Sequence, residues 1–387
     1  MKKIIRITTV PQSLSGLLKG QLNFMKNHYE ILGVSSNLGY DNILNDYSEE
    51  EGIQVKAIEM TRKITPFKDL KAVWELYKLF KTEKPFIVHT HTPKAGTLGM
   101  IASKMANVPH RMHTIAGLPL VEINGLKRKL LNFVEKITYA CATKIYPNSY
   151  GLVDIILDNN FTNMEKLKVI GNGSSNGIDT AHFDANQISA EKKESLKKES
   201  GIKPTDIVFI FVGRLVSDKG INELIKAFES INNEFNNTKL LIVGSYEADI
   251  DPVHKTTIET IENHKDIITM GWQSDVRPFL AISNILVFPS YREGFPNVVM
   301  QAAAMKLPCI VTDINGCNEI INEGENGIII PVKNTDAIYK AMKKMILMDP
   351  KEIKLIGENA RKIIVSKYER QFIWDELLKE YKSLELE

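Results

Sequence analysis

The sequence predicts an α/β protein of two doubly wound domains, and three observations carry that prediction. At 387 residues the chain exceeds the length that one hydrophobic core usually serves. Short apolar runs alternate with helix-patterned segments, in units of roughly 30 residues, as βαβ units require. The alternation lapses once, in the polar stretch "DANQISAEKKESLKKESGIKPTD" at 184–206, and then restarts, which is the signature of a domain joint.

The first series runs through the strand "KIIRITTV", the helical pattern "GLLKGQLNFMKNH", the strand "YEILGVSS", the helix "FKDLKAVWELYKLFKTE", the strand "KPFIVHTHT", the helix "GTLGMIASKMANV" and the strand "PHRMHTIA". The second begins with the continuous apolar run "IVFIFVG", which suits a strand buried on both faces. It continues through "INELIKAFESI", "KLLIVGS", "DIITMGW", "NILVFPS", "NVVMQAAAM", "PCIVTD" and "GIIIPV". The expected domains are 1–184 and 185–366. A final segment, 367–387, places Phe372, Ile373, Leu377 and Tyr381 near helical spacing and reads as a helix with one apolar face to bury. In doubly wound sheets ligands sit outside the carboxyl ends of the strands, so two such sheets facing each other would form a cleft lined by the loops after strands.

Composition narrows the function classes. A net charge of +2 gives no reason to expect nucleic acid as a partner. The sign is uneven, however: residues 1–150 carry 21 Lys and Arg against 12 Asp and Glu, and the remainder 28 against 35. No stretch approaches the roughly 18 uncharged apolar residues of a membrane span. The apolar run at the N-terminus is broken by Arg6 and followed by Pro11 and Gln12, too short for a signal peptide. Cys141, Cys309 and Cys317 form no paired framework and no metal-type motif, so a reduced, cytoplasmic protein is expected.

The loops after strands are polar and glycine-rich. "FVGRLVSDKG" ends a strand at Gly213 and then offers Arg214 and Lys219, two cations that suit a diphosphate leaving group; ordinary surface cations are the competing reading. In "SYREGFPNVVMQAAAM", Glu293, Gly294, Phe295, Pro296 and Asn297 lie between a strand and a helix. Pro296 suits a first helical turn, Gly294 permits close backbone approach, and helix-start N–H groups favour phosphate. His89 and His91 share one side of a strand, where zinc is the weaker reading for want of further ligands. Acceptor-site polarity is preferred, with Thr92, Lys94 and Gly96 opening the next helix towards an anionic group.

"GRLVSDKG", followed by "PSYREGFPNVVMQAAAMKLPCIVTD", resembles the C-terminal signature of glycosyltransferase family 4, retaining enzymes of the two-domain GT-B fold. "VHTHTPKAG", "HTIAGLP", "PNS" and "NGID" extend the resemblance over nearly the whole chain. It implies a C-terminal helix that returns to the first domain. It also implies that Arg214 and Lys219 grip the nucleotide diphosphate in place of a metal, with the backbone of Phe295, Pro296 and Asn297 on the distal phosphate. Glu293 matches the glutamate that accepts hydrogen bonds from donor-sugar hydroxyls. Gln301 stands where the family has a second glutamate on the ribose; its amide can still accept a hydroxyl, without charge assistance.

The nucleobase is implied near Trp272 and Asp275, and Gly16, His113 and Gly117 of the first domain beside the donor phosphates and the transferring sugar. For Gly16 the competing reading is a helix start capped by Ser13 or Ser15, and for His113 a structural strand-end histidine. The first-domain phrases are similar to bacterial enzymes that extend lipid-linked glycans for capsule, O-antigen or N-linked glycan assembly. This implies a UDP-sugar donor, a hexosyl or N-acetylhexosaminyl transfer, a polyprenyl-diphosphate-linked saccharide acceptor and no cofactor. The segments "TPFKDLKAVWELYKLFKTEK" and "GLKRKLLNFVEKITYA" interleave aromatic with basic residues, which suits peripheral attachment to an anionic inner-membrane surface; core packing of the apolar faces competes. Rival functions are a UDP-sugar 2-epimerase of the same architecture and a non-catalytic sugar-nucleotide-binding subunit.

Overall fold

The structure, a computed structural model, describes the chain except Leu38, Tyr40, Asp41, Arg62, Pro119, Val121, Glu122, 248–250 and Glu387. The chain forms two compact units, one of residues 1–177 and 371–387, the other of 178–370.

The first unit is a six-stranded sheet of β1 (Lys3–Ile7), β2 (Glu30–Ser35), β3 (Gln54–Ala57), β4 (Ile87–His91), β5 (His110–Ile115) and β6 (Lys144–Pro147) in the order β3-β2-β1-β4-β5-β6. Every pairing is parallel, with Ile5 opposite both Leu32 and Val88. The second repeats the plan with β7 (Ile207–Val212), β8 (Thr238–Val243), β9 (Ile267–Thr269), β10 (Ile285–Phe288), β11 (Cys309–Thr312) and β12 (Gly327–Ile330) in the order β12-β11-β10-β7-β8-β9. The fold class is therefore as predicted. In each sheet the strand order reverses beside the first strand, at β1/β4 and at β7/β10. Those are the switch points where loops diverge and leave room for a ligand. Continuous runs such as Val208–Phe211 are buried to the last side chain, because helices cover both faces.

Two boundaries differ from expectation. The polar stretch at 184–206 is no linker: it holds the helix Ala190–Glu199, whose start is capped by Ser189 accepting from the Lys192 N–H at 3.2 Å. Only Leu196 of that helix is buried, so a solvated helix has the composition of a joint. The chain instead crosses between units at 177/178 and 370/371. There Ile178 donates to Tyr368 O at 2.9 Å and accepts from Arg370 N at 3.0 Å, so the two crossings are bonded side by side.

The helix Arg370–Ser383 brings Leu377, Leu378 and Tyr381 into one cluster with Leu14, Leu18, Leu22 and Tyr29 of the first unit. Polar bonds fix its rotation: Tyr146 donates to Glu380 at 2.9 Å and the Trp374 indole to Asn176 at 2.6 Å. The first helical pattern is also split, into Pro11–Leu17 and Gln21–Met25, because Gly20 takes φ 77° between them. A Cβ at Gly20 would lie 2.8 Å from the Trp374 ring. Glu51 closes the break by accepting from the N–H groups of Gly20 and Asn23 at 2.5 and 2.8 Å.

Candidate active site

In the second unit, three loops at the carboxyl ends of β7, β10 and β11 meet. Two glycines allow the approach. Gly220, at φ 69°, stands where a Cβ would come within 2.1 Å of Pro289 O, and Gly316, at φ 77°, where one would come within 2.5 Å of Gly294 O. The first contact lays the 213–220 loop on the end of β10; the second lays the 313–316 turn on the loop of Glu293. Asn315 fastens this clasp, its amide donating to the Glu293 carbonyl and, at 3.3 Å, to Gly294 O. Gly244 serves β7 and β8 alike, since a Cβ there would be 1.8 Å from Gly213 O.

The result is a charged cluster assembled from positions 74 apart in sequence. Lys219 Nζ donates to Glu293 Oε1, and both side chains are largely buried. Ser290 Oγ donates to the same Glu293 oxygen at 2.8 Å. Beside it Arg292 donates to Asp218 at 2.6 Å, and Tyr291 donates to Glu223 at 2.6 Å. Burial first, and then the Glu223 carboxylate, push the Tyr291 hydroxyl well above its usual range, so it is a donor throughout the physiological pH range. Arg214 is half-exposed and donates to Glu247 at 2.8 Å. Neither predicted cation is therefore a free surface charge.

The helix Asn297–Ala304 starts immediately after the loop, with Pro296 at its N-cap rather than in its first turn. Pro296 O accepts from Val299 and Met300, at 3.2 and 3.4 Å. The first N–H groups of such a helix have no intrahelical acceptor, which suits them to an anion. Phe295 is buried against Tyr368, ring centroids 5.2 Å apart, so its side chain anchors the loop. Gln301 lies partly buried on the same helix. Trp272 is 72% exposed, open for stacking. Asp275 is committed to Arg277 by a two-pronged pair at 2.9 and 2.7 Å, which holds its carboxyl below the usual range. Sequence reasoning missed Ser290, Asp218, Asn315 and Gly316; the Asn-Gly turn in "TDINGCNE" was the available signal.

In the first unit, His113 is buried on β5 with Nδ1 2.9 Å from Thr90 Oγ1. Burial lowers its pKa to about 4, so the ring is neutral at pH 7. Gly117 follows that strand at φ 153°. Gly16 is not in a loop: it sits exposed within the helix Pro11–Leu17, a Cβ there would meet nothing within 4 Å, and no serine side chain caps that helix. Thr92, Lys94 and Gly96 do not open towards a common anion. Thr92 is bonded to Thr9 at 2.8 Å, Lys94 to Asp69 at 2.6 Å, and Gly96 is small because a Cβ would fall 2.3 Å from the His113 ring. His89 and His91 face inward, with centroids 4.4 Å apart; His89 is held by Tyr381 at 2.6 Å and Thr114 at 2.7 Å.

The helix Pro66–Glu83 divides its apolar residues: Val73, Leu76, Leu79 and Phe80 are buried, whereas Phe67, Leu70 and Trp74 are exposed. In the helix Gly125–Cys141, Leu126, Leu130 and Phe133 are exposed. Core packing thus accounts for half of the first pattern. Among the described residues no helix is long and apolar enough to cross a membrane.

Comparison with known proteins gives this geometry its context. A family model described as "Glycosyl transferases group 1" matches residues 192–363, and one described as "Glycosyl transferase 4-like" matches 7–149. The chain is 35% identical to the capsular polysaccharide biosynthesis glycosyltransferase CapM of Staphylococcus aureus, over 97% of this chain and 96% of that one. It is 31% identical to an Escherichia coli UDP-Gal:alpha-D-GlcNAc-diphosphoundecaprenol alpha-1,3-galactosyltransferase, over 84% and 82%. Among solved structures, Anabaena HepE in complex with UDP matches with a TM-score of 0.80 at 17% identity, over 99% of this chain and 100% of that one, a likeness of fold. Similarity of this extent, across both units and nearly end to end, means that the chain belongs to glycosyltransferase family 4 and is a glycosyltransferase of GT-B fold.

Proposed function

We propose that the protein transfers a hexosyl or N-acetylhexosaminyl group from a UDP-sugar to a saccharide carried on polyprenyl diphosphate, with retention of anomeric configuration and without a metal. The observation that carries the reading is the Lys219–Glu293 pair, which joins the loop after β7, on which Arg214 also lies, to the loop that opens the helix Asn297–Ala304. An ammonium has three donors, so Lys219 can keep Glu293 in place while it reaches a phosphate oxygen. Arg214 and the backbone of Phe295 to Asn297 take the remaining diphosphate charge, with Gly213 and Gly294 giving room. Glu293 then faces sugar hydroxyls, Gln301 the ribose, and Trp272 and Asp275 the base. His113, neutral and with Gly117 at the end of β5, is assigned the orienting of the sugar, and Gly16 a place near the donor phosphates and the acceptor.

In the reaction the acceptor hydroxyl oxygen bonds to the anomeric carbon on the face that the diphosphate leaves. The carbon–oxygen bond to phosphate breaks, and the leaving phosphate takes the proton. Catalysis is by positioning and charge stabilisation. The acceptor reading draws support from the E. coli relative, named for a diphosphoundecaprenol-linked substrate, and from CapM, named for capsule biosynthesis. UDP in HepE supports the donor.

Attachment to an anionic lipid surface would bring the enzyme to such an acceptor. Exposed Phe67, Leu70, Trp74, Leu126, Leu130 and Phe133 supply the apolar contact, and lysines on the same two helices supply the charge. The test is UDP release from UDP-sugars that depends on a polyprenyl-diphosphate saccharide and persists in EDTA. Interconversion of UDP-sugars without acceptor would overturn the reading.

A further inference from the structure

Lys219 and Glu293 are each preceded in the chain by a residue of the opposite charge, and those two residues also pair. Asp218 stands before Lys219 and Arg292 before Glu293, and Arg292 Nη2 donates to Asp218 Oδ2 at 2.6 Å. Between the same loops the Tyr291 N–H donates to the Asp218 carbonyl at 2.8 Å. The loop after β7 and the loop after β10 are therefore joined by two successive ion pairs and a backbone bond.

A bound donor would draw on one of these pairs and spare the other. Diphosphate and sugar compete for the ammonium protons of Lys219 and the lone pairs of Glu293, the same groups that hold those two side chains together. Asp218 is enclosed: its side chain is 14% exposed, Oδ2 accepts from Arg292, and Oδ1 is buried without a partner. Its backbone N–H donates to Asp251 Oδ2 at 2.6 Å, so a second acid lies beside it. Among the described residues Arg292 is the one cation paired with Asp218. Opening that pair would leave a largely buried carboxylate uncompensated next to another, which keeps it closed while the Lys219–Glu293 contact loosens.

We propose that Arg292 is a positioning residue for the transfer. Paired with Asp218, it holds the loop of Lys219 against the loop of Glu293 while Lys219 turns its donors to the leaving diphosphate. The inference rests on the assignment of Lys219 to the diphosphate, and adds to it the residue that keeps Lys219 in reach. Arg292 acts through Lys219 and needs no contact with substrate.

The experiment compares the full-length parent with Arg292→Met, Arg292→Lys, Lys219→Met and Lys219→Met/Arg292→Met, each first shown to be folded by its melting temperature. Turnover, read as acceptor-dependent UDP release at saturating donor, is expected to fall about 10–100-fold in Arg292→Met, the scale of a displaced catalytic group. Arg292→Lys keeps a cation for Asp218 and is expected to stay within about threefold of the parent. Calorimetric titration of UDP then gives the coupling: Arg292→Met is expected to weaken binding at least about fivefold in the parent and less than about twofold in Lys219→Met, where the group to be positioned is gone. Where Arg292→Met is too unstable to assay, Asp218→Asn/Arg292→Met strands no charge and is expected to give the same results. Lys219→Met with parental turnover and UDP affinity would sink the diphosphate assignment itself. With Lys219→Met impaired, parental turnover in Arg292→Met, no rescue by Arg292→Lys, or an equal loss of UDP affinity in both backgrounds would overturn the positioning role alone.

Discussion

Replacing Lys219 with methionine separates the structural from the functional role of the central ion pair. The side chains of Lys219 and Glu293 are 14% and 15% exposed, so Lys219→Met strands a largely buried carboxylate. Removing one partner of a fully buried pair costs about 3–5 kcal/mol. Ser290 still donates to Glu293 at 2.8 Å and some solvent reaches it, which reduces the expected loss to about 2–3 kcal/mol. In the double variant Lys219→Met/Glu293→Gln the stranded charge is gone, and all but about 1 kcal/mol of the stability should return. Urea unfolding followed by circular dichroism measures the first quantity, and acceptor-dependent UDP release measures the second. Turnover is expected to fall by at least about 100-fold in both variants, because loss of a group that meets the charge developing on the leaving diphosphate costs a few kcal/mol of barrier. A Lys219→Met protein as stable as the parent, or a stable double variant that keeps its turnover, would refute the reasoning.

Other consequences follow from individual contacts. Gly220→Ala sets a methyl 2.1 Å from Pro289 O at a left-handed backbone position; a loss of about 2–3 kcal/mol and weaker UDP binding are expected, read by calorimetry. His113, with its folded pKa near 4, takes up its proton only in the unfolded chain between about pH 6.5 and pH 4. Its contribution to stability is therefore complete above pH 6.5 and lost as pH falls towards 4, and an NMR titration should show no midpoint near 6.5. Phe67→Ser/Leu70→Ser/Leu126→Ser/Leu130→Ser alters exposed side chains only, so it should keep the melting temperature and lose flotation with anionic vesicles at low salt.

The two sheets were legible because buried parallel strands are written as continuous apolar runs, such as "IVFIFV" and "KLLIVG", which few other structures require. The helix Ala190–Glu199 was not, since a helix that buries only Leu196 has the composition of a linker. Arg214, Lys219 and Glu293 could be singled out from their places after strands. That Lys219 and Glu293 touch depends on Gly220 resting on Pro289, a contact between segments some seventy residues apart. Gly96 shows the opposite error: beside a helix start it reads as an anion site, whereas its missing side chain makes space for the ring of His113. The network of Arg6, His91 and Tyr381 spans almost the whole chain, and a charge inside a first strand gave no hint of its partners. Asn315 and Gly316 were overlooked because a turn dipeptide names a bend without naming what the bend holds.

Calorimetric titration of UDP in EDTA, against the parent protein and Arg214→Ala/Lys219→Ala, tests the diphosphate assignment most directly. The account predicts a single site in the parent and an affinity at least about 100-fold weaker in the variant, as expected when two charge-assisted contacts are lost. Equal affinity in both proteins would contradict it.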